Sequence, residues 1–529
     1  MRENYDIAIV GSGFAGSLLA MIARRLGRSV LLIEKSTHPR VVIGESSTPL
    51  SNLLLEDLAT RYDLPALKPL CKWGAWQQNY PELACGLKRG FTFHHHVLGQ
   101  PARPNLNRQD QLLVAASPHD AIADTHWYRA GFDHFLVCQA QTLGVDYIDK
   151  VHLDKFADDG DVVRLEGHRQ GQPVRFNARL VVDATGPRGF LHRALGLGEL
   201  DLPSLPRTQA LYTHFTGVEQ LGRGNASRTA EIPPYPIDDA AVHHVFDGGW
   251  VWVLQFNNGV TSAGVAATND LAARLSLDEG PAAWGRLLEL VPALQGQFAS
   301  AKPERPFTHI PRLSFRTATV TGDKWALLPS AAGFVDPLLS TGFPLTLLGV
   351  SRLAEIIERE WTSNRMSDRL RAYGEKTDAE LVAASRLIGA LYANMSDFAV
   401  FTALLLLYFA AVSFSEAARR LGKPELASSF LLHDDAVFGP ASRQLLERAQ
   451  ELRTKEESTE LVQDILRTIE PFNVAGFGDA ARRNWYPVNA DDLLRSAHKL
   501  DTTAEDILQM LQRCGFAATG IPSAFTTSQ

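Results

Sequence analysis

The sequence predicts an α/β fold. A Rossmann-like nucleotide-binding domain (residues 1–206 and 308–362) is interrupted by an antiparallel β-sheet domain (207–307) and followed by a helical C-terminal region (363–529). Three observations predict it. The chain opens on an apolar run that meets Gly11-x-Gly13-x-x-Gly16 and then a helical periodicity. From about residue 207 apolar and polar residues alternate. Beyond about 363 the composition turns Ala-, Leu-, Arg- and Glu-rich with helical spacing.

Tyr5-Asp6-Ile7-Ala8-Ile9-Val10 has the apolar bias of a buried strand. It feeds Gly11-Ser12-Gly13-Phe14-Ala15-Gly16. Leu19, Ile22, Ala23 and Leu26 then recur at helical spacing, with Gly27 as a stop. A glycine turn between strand and helix is a site for a pyrophosphate. The helix start offers N–H groups and the positive end of its dipole, and the glycines let phosphate approach closely. A second strand, Ser29–Ile33, ends in Glu34, 23 positions after Gly11, with Lys35 beside it. A Rossmann unit places its ribose 2′-hydroxyl acceptor there. Strand, helix and acid in register make the motif specific, where a glycine turn alone is not. A carboxylate at this point disfavours a 2′-phosphate, so the residues point to FAD or NAD rather than NADP.

Further along, Gly44-Glu45-Ser46 forms a loop after the second strand, and leucines from Ser51 resume helical spacing. Residues 70–115 read as irregular, although Phe91 and Phe93 alternate as in a strand. His94-His95-His96 raises the question of a metal. Successive strand residues point to opposite faces, so only His94 and His96 share one. No carboxylate–histidine spacing accompanies them, and a pocket or core role is expected instead. Trp127–Asp133 opens an amphipathic helix, and Arg179–Asp183 is a buried strand ending in the turn Asp183-Ala184-Thr185-Gly186. In the alternating region Gly249-Trp250-Val251-Trp252 sets both indoles on one face, as a core pair or as the wall of a flat-ligand pocket. Lys324–Leu328 reads as a strand returning to the first domain. The loop that follows leads into a helix from Phe343 to about Arg359 and offers N–H groups to an anion. The tail from Gly520 reads as disordered.

A net charge of −7 and a pI near 6.2 argue against nucleic acid as partner. Four scattered cysteines without a CxxC fit a reduced protein without a zinc site, and the first strand begins too early for a signal peptide, so a cytoplasmic location is expected. Phe398–Ser415 carries no charge over 18 residues. That is the lower limit for a membrane span, but it lacks a basic anchor on one side and reads as a buried helix, or as one with an apolar face over a substrate channel.

Together these residues resemble a flavoprotein of the para-hydroxybenzoate hydroxylase type, in which Gly11-x-Gly13-x-x-Gly16, Glu34, Arg129 and Asp183–Gly186 correspond to FAD-binding elements. More narrowly the chain resembles the flavin-dependent halogenases, with spacing closest to the phenol (phloroglucinol) halogenases over most of residues 1–360. Phe334-x-x-Pro337-x-x-Ser340-x-Gly342 looks like their halide-and-flavin loop, Gly249-Trp250-Val251-Trp252 like the start of their Gly-Trp-x-Trp-x-Ile-Pro signature, and Lys88, in Cys85–Phe93, like their essential lysine. Three departures stand out. Leu254-Gln255 replaces Ile-Pro, Pro329-Ser330 replaces Gly-Asp, and Leu339 stands where tryptophan halogenases carry a glutamate, which makes tryptophan a poor substrate guess.

The resemblance implies an FADH2-dependent halogenase that uses dioxygen and chloride or bromide to make hypohalous acid, and passes it through Lys88 to an electron-rich, phenolic ring. FAD would be held by Gly11, Gly13, Phe14, Ala15, Gly16, Glu34, Lys35, Gly44, Glu45, Ser46, Arg129, Asp183, Gly186, Asp336 and Gly342. Halide would sit at Ser340, Thr341 and Gly342, and substrate among Phe93, His94, His95, Trp250, Trp252 and Leu339, with one of His94, His95 and His96 as a base. No second glycine fingerprint follows a strand, so a separate flavin reductase is expected to supply the reduced cofactor. The alternatives are an FAD-dependent aromatic monooxygenase, a flavin reductase of isoprenoid double bonds at a membrane, and a flavin binder without turnover. On the bare residues Lys88 reads as an exposed surface lysine beside Arg89.

Overall fold

The structure, a computed structural model, describes Arg2 and residues 4–101, 107–202, 204–221 and 231–516; the tail from Gly520 lies outside the described residues. Asn4–Val10 is an inner strand of an eight-stranded sheet, parallel to Gln172–Asp183 on one side and to Val30–Ile33 on the other. Ile7, Ala8 and Ile9 are wholly buried. Both faces of a parallel sheet are covered, which is why this run is apolar without alternation. Trp325–Leu327 pairs parallel with Gln172–Asp183, so the chain does return to the first domain. Val10 lies level with Ile33 and with Asp183. The Gly11 turn, Glu34 and the Asp183 turn therefore leave the same edge side by side, at the carboxyl ends of the strands, where open α/β sheets bind ligands.

The second sheet has nine strands, and it is mixed rather than antiparallel throughout. Thr208–Thr216, Thr261–Thr268, Gly249–Gln255 and Ala241–Phe246 form the expected antiparallel run. Ala241–Phe246 then pairs parallel with Gly90–His95, which is antiparallel to Gln111–Ala115. Trp485–Tyr486, from the C-terminal region, pairs parallel with Gln111–Ala115. The stretch read as irregular thus supplies two strands to this sheet. A third, Cys85–Lys88, pairs antiparallel with Asp124–Trp127. Its pattern is faint in the sequence because both faces are covered. Phe91 and Phe93 lie under the helix Phe398–Arg420, against Phe409 and Phe401, while His94 and His96 stack with His244 on the other face.

That helix is long and apolar enough to cross a membrane, yet 83% of its apolar window is buried inside the protein. Asp397 caps it by accepting from the N–H groups of Ala399 and Val400. Its apolar surface is spent on the second sheet and on neighbouring helices, as in the core helix of a globular protein. Leu405 is fully buried on it. Leu405→Ala is expected to lower the free energy of unfolding by about 2–5 kcal/mol in denaturant titration; a loss well below about 1 kcal/mol would show that the helix is not part of the folded core.

Candidate active site

The nucleotide end is built by packing constraints at single glycines. At Gly11, φ is +101° and an added Cβ would lie 2.5 Å from the carbonyl of Ala184, so the Asp183 turn presses directly on the Gly11 turn. Gly13 is different: an added Cβ would lie 3.4 Å from a guanidinium nitrogen of Arg129 and 3.7 Å from both a guanidinium nitrogen of Arg40 and the Oδ2 of Asp133, the carboxylate that holds Arg129. Two cations thus face the backbone at a helix N-terminus, a setting for a pyrophosphate. Arg129 also donates to the carbonyl of Gly44 at 3.0 Å and is held by a two-bonded ion pair with Asp133. Glu34 accepts from the N–H and hydroxyl of Ser12, from the N–H of Ser36 and from Arg40. Burial pushes its carboxyl up, but Arg40 and the two N–H groups outweigh that and hold it below the usual carboxylate range. Its Oε1 takes only the Ser36 bond and keeps acceptor capacity for a ribose hydroxyl. Lys35 is exposed and makes no hydrogen bond among the described residues.

Asp183 serves the site indirectly. Both its oxygens are used within its own loop, by the N–H and hydroxyl of Thr185 and by the N–H of Leu191. It braces the turn rather than facing a ligand. Beyond it, Gly186 would meet nothing within 4 Å if it carried a Cβ.

Lys88 is fully buried, not the exposed lysine that composition favours. Gly86, two residues earlier, makes this possible: a Cβ there would lie 2.1 Å from the carbonyl of Gln255, so only glycine lets the strand pack this closely. The Lys88 ammonium donates to the hydroxyl of Ser46 at 2.9 Å and to the carbonyl of Ser47 at 2.5 Å, and lies 3.8 Å from the centre of the Phe91 ring. The loop read as flavin-binding and the lysine read as catalytic are therefore in direct contact. Burial lowers the ammonium pKa to about 7, with Asp124 opposing. In the same loop Glu45 pairs with His214 at 2.9 Å, both side chains 2% exposed.

The loop before the third helix start carries backbone strain. Leu339 and Ser340 hold φ of +68° and +55°, sparsely populated for residues with side chains. Asp336 accepts from the N–H of Leu338 and from the hydroxyl of Tyr392, which in turn accepts from the indole N–H of Trp250. Burial raises the Asp336 carboxyl to about 7 in spite of these donors. Gly342 opens the helix Gly342–Arg359, and a Cβ there would meet nothing within 4 Å. The helix end, with its unpaired N–H groups, thus looks into open space. Phe343 stacks on Trp127 at 4.5 Å and meets Phe14 edge-on at 5.0 Å, while the Arg129 guanidinium lies 5.0 Å from the Phe14 ring. These contacts gather the Gly11–Gly16, Gly44–Ser46, Arg129 and Ser340–Gly342 segments around one region.

The predicted substrate residues divide. Trp250 and Trp252 do share a face, 5.7 Å apart, and Trp250 reaches the Asp336 loop through Tyr392. Phe93 is on that face but wholly buried against His243 and Phe401. His95 stacks on Phe398 beside an outer groove. His94 and His96 point the other way, His96 bonding to His244 at 2.9 Å, so strand alternation removes both from the Trp250 side. Burial also lowers the His94 pKa to about 4. The apolar cavity nearest the lysine, about 170 Å³, is lined instead by Phe91, Val114, Tyr408, Phe409, Val412 and Tyr486. Tyr408 links it to the strained loop by donating to the carbonyl of Leu339 at 3.0 Å. Glu416 and Arg420, paired at 2.8 Å, supply charge on its wall. Helix 398–420 supplies Tyr408, Phe409, Val412 and Glu416 to this wall, and its trace in the sequence is an apolar face with Tyr408 and Glu416 on it.

A Rossmann nucleotide loop, a strained loop at a helix N-terminus and a buried lysine between them and an apolar cavity define a nucleotide-dependent enzyme of the flavoprotein type. Residues 115–397 match the tryptophan halogenase family, and residues 9–49 match the NAD(P)-binding Rossmann-like domain. The chain belongs to that halogenase family and is a flavin-dependent halogenase. It is 29% identical over 419 residues to the monodechloroaminopyrrolnitrin halogenase PrnC of Pseudomonas fluorescens, covering 76% of this chain and 70% of that one. It is 30% identical over 350 residues to the tetracycline 7-halogenase of Kitasatospora aureofaciens, covering 65% of this chain and 61% of that one. In fold it is similar to the crystal structure of the halogenase PltM in complex with phloroglucinol and FAD, with a TM-score of 0.79, 24% identity, and coverage of 90% of this chain and 99% of that one.

The Arg129 fork is the most specific of these contacts to test, because a lysine keeps the charge and loses the two-bonded geometry. Arg129→Lys is expected to weaken FAD binding at least about tenfold in a flavin-fluorescence titration. Unchanged affinity would place the pyrophosphate elsewhere.

Proposed function

We propose that this enzyme takes reduced FAD from a separate reductase and halogenates an electron-rich, phenolic ring by way of Lys88. The observation that carries the reading is the complete burial of Lys88 between the Ser46–Ser47 loop and the Phe91 ring that lines the cavity. The Gly13 backbone, with the Arg129 and Arg40 guanidinium groups beside it, and the open backbone at Gly186 and Gly342 fit a dinucleotide at the sheet edge. In that fit Gly11–Gly16, Arg129 and Arg40 hold the pyrophosphate, Glu34 the ribose, and Glu45, Ser46, Asp336 and Gly342 flank the flavin. Bound reduced FAD supplies the two electrons that convert dioxygen and halide into hypohalous acid.

The rest of the chemistry belongs to side chains of this chain. Halide binds at the helix start formed by Ser340, Thr341 and Gly342, where N–H groups attract an anion without a full positive charge to trap it. Lys88, desolvated and titrating near neutrality, presents a hydrogen bond or a free amine to the oxidant. The apolar cavity holds the ring and keeps water out. Leu339 in place of a carboxylate suits a phenol, which is activated by its own oxygen. The likeness of the fold to a phloroglucinol complex supports this choice of substrate class.

The test is mass spectrometry of a reaction with FAD, a flavin reductase, NADH, chloride or bromide, and a panel of phenols, indoles and pyrroles. Wild type is expected to give halogen isotope doublets on phenols. Lys88→Met should lose them at least about a hundredfold while flavin oxidation continues and the fold is kept, since the substitution replaces a buried cation with a side chain of similar length. Doublets that persist in Lys88→Met would remove the lysine from the reaction, and doublets on indoles or pyrroles alone would overturn the phenolic assignment.

A further inference from the structure

Asp124 lies directly across from Lys88 in the antiparallel pairing of Asp124–Trp127 with Cys85–Lys88, and both side chains are buried. Lys88 makes its direct contacts with neutral groups only: the Ser46 hydroxyl, the Ser47 carbonyl and the Phe91 ring. Asp124 is held at one oxygen by the Asn52 amide, at 2.7 Å, and its Oδ2 is buried with no hydrogen-bond partner. The same Asn52 amide also donates to the hydroxyl of Ser47, whose carbonyl receives the lysine. One amide therefore fixes both the carboxylate and the lysine's acceptor loop. A buried carboxylate with an unused oxygen is costly, and structures keep such groups where they have work to do.

We propose that Asp124 is the counter-charge that sets the proton affinity of Lys88, a positioning residue for halogen transfer. This rests on the reading of Lys88 as the residue that handles hypohalous acid. In the transfer, the neutral amine takes the halogen from hypohalous acid and releases water, then gives the halogen to the ring and recovers the ring's proton; the net change is arene plus hypohalous acid to haloarene plus water. Only the neutral amine can take the halogen, so a neighbour that sets its proton affinity near neutral sets the pH at which the transfer begins. Asp124 does this from across the strand pair. The surrounding groups do not substitute for it. His126 and His243 face the lysine, but burial drives both imidazoles down to about 3 and keeps them neutral. Glu416 and Arg420 act on Asp124 in opposite directions and are paired with each other. The two partners respond as a set: burial pulls the lysine down to about 7 and pushes the carboxyl up to about 7, and each opposes the shift of the other.

Asp124→Asn keeps the shape and removes the charge. The quantity to follow is product formed per flavin oxidised, as a function of pH, because it isolates the halogen-transfer step from oxidant formation. The acid limb of that profile is expected to move to lower pH by about one pH unit or more, since the ammonium loses its stabilising charge. The substrate KM should not change, and Asp124→Glu should bring the limb back toward its original place. In the flavin-free protein, two infrared carboxyl bands should titrate near neutrality, from Asp124 and Asp336, and one of them should be lost from the Asp124→Asn spectrum while the other stays. If Lys88→Met abolishes product but Asp124→Asn lowers it uniformly at every pH, the aspartate is structural and the inference falls alone. If Lys88→Met leaves product intact, the lysine reading falls as well.

Discussion

Everything in this site depends on a lysine held out of water. Burying an ammonium is costly, and here the cost is met by two oxygens of the Ser46–Ser47 loop and by the Phe91 ring. Those contacts oblige three elements to meet: the loop after the second Rossmann strand, the strand Cys85–Lys88, and the strand Gly90–His95 that continues into the second sheet. The junction of the two sheets is therefore also where the Ser46–Ser47 loop meets Lys88 and the cavity-lining Phe91. Gly86 enables the close packing, and the Asp183 turn pressed against Gly11 fixes the other end of the same arrangement.

From this constraint the division of labour follows. The carboxyl end of the first sheet presents backbone and charge: the Gly11 turn packed on the Asp183 turn, and Arg129, Arg40 and Asp133 around Gly13. The strained Leu339–Ser340 backbone leads into the open Gly342 helix end, where the proposed halide would meet N–H groups rather than a charged side chain. Trp250, Tyr392 and Asp336 form a hydrogen-bonded chain that anchors this loop to the second sheet. Tyr408 does the same from the C-terminal helix, and so couples the loop to the cavity wall. The helix Phe398–Arg420 is apolar because it is buried against that sheet while lining the cavity, which accounts for its membrane-like composition.

The parts of the fold and site that were legible in the sequence are those with local signatures. The Gly11–Gly16 turn, Glu34 and the returning strand near Lys324 each announce themselves within a few residues. The strands of the second sheet contributed by 90–115 show less: Phe91 and Phe93 alternate, but both faces are covered, so no polar face marks the strand's extent or the sheet it joins. His94 shows the limit of reading one strand alone: the period of two correctly separates Phe93 from His94, but only the packed structure shows which face meets Trp250. The cavity wall is the least legible part. Tyr408 and Val412 are brought to Phe91 by helix packing, and Tyr486 by strand pairing with Gln111–Ala115, all over long sequence separation, and no motif marks them. Asp124 belongs to the same class, since its relation to Lys88 exists only in the strand pairing.

The central claim is that oxidant is made at the Gly342 helix end and used at Lys88. Anomalous diffraction from crystals of the FAD-loaded protein in bromide tests it most directly. A bromide peak within hydrogen-bond distance of the backbone N–H groups at Thr341 and Gly342, on the side open toward the flavin, is the predicted result. A well-ordered bromide bound instead to Arg129, Arg40 or another cationic side chain, with none at the helix end, would contradict it.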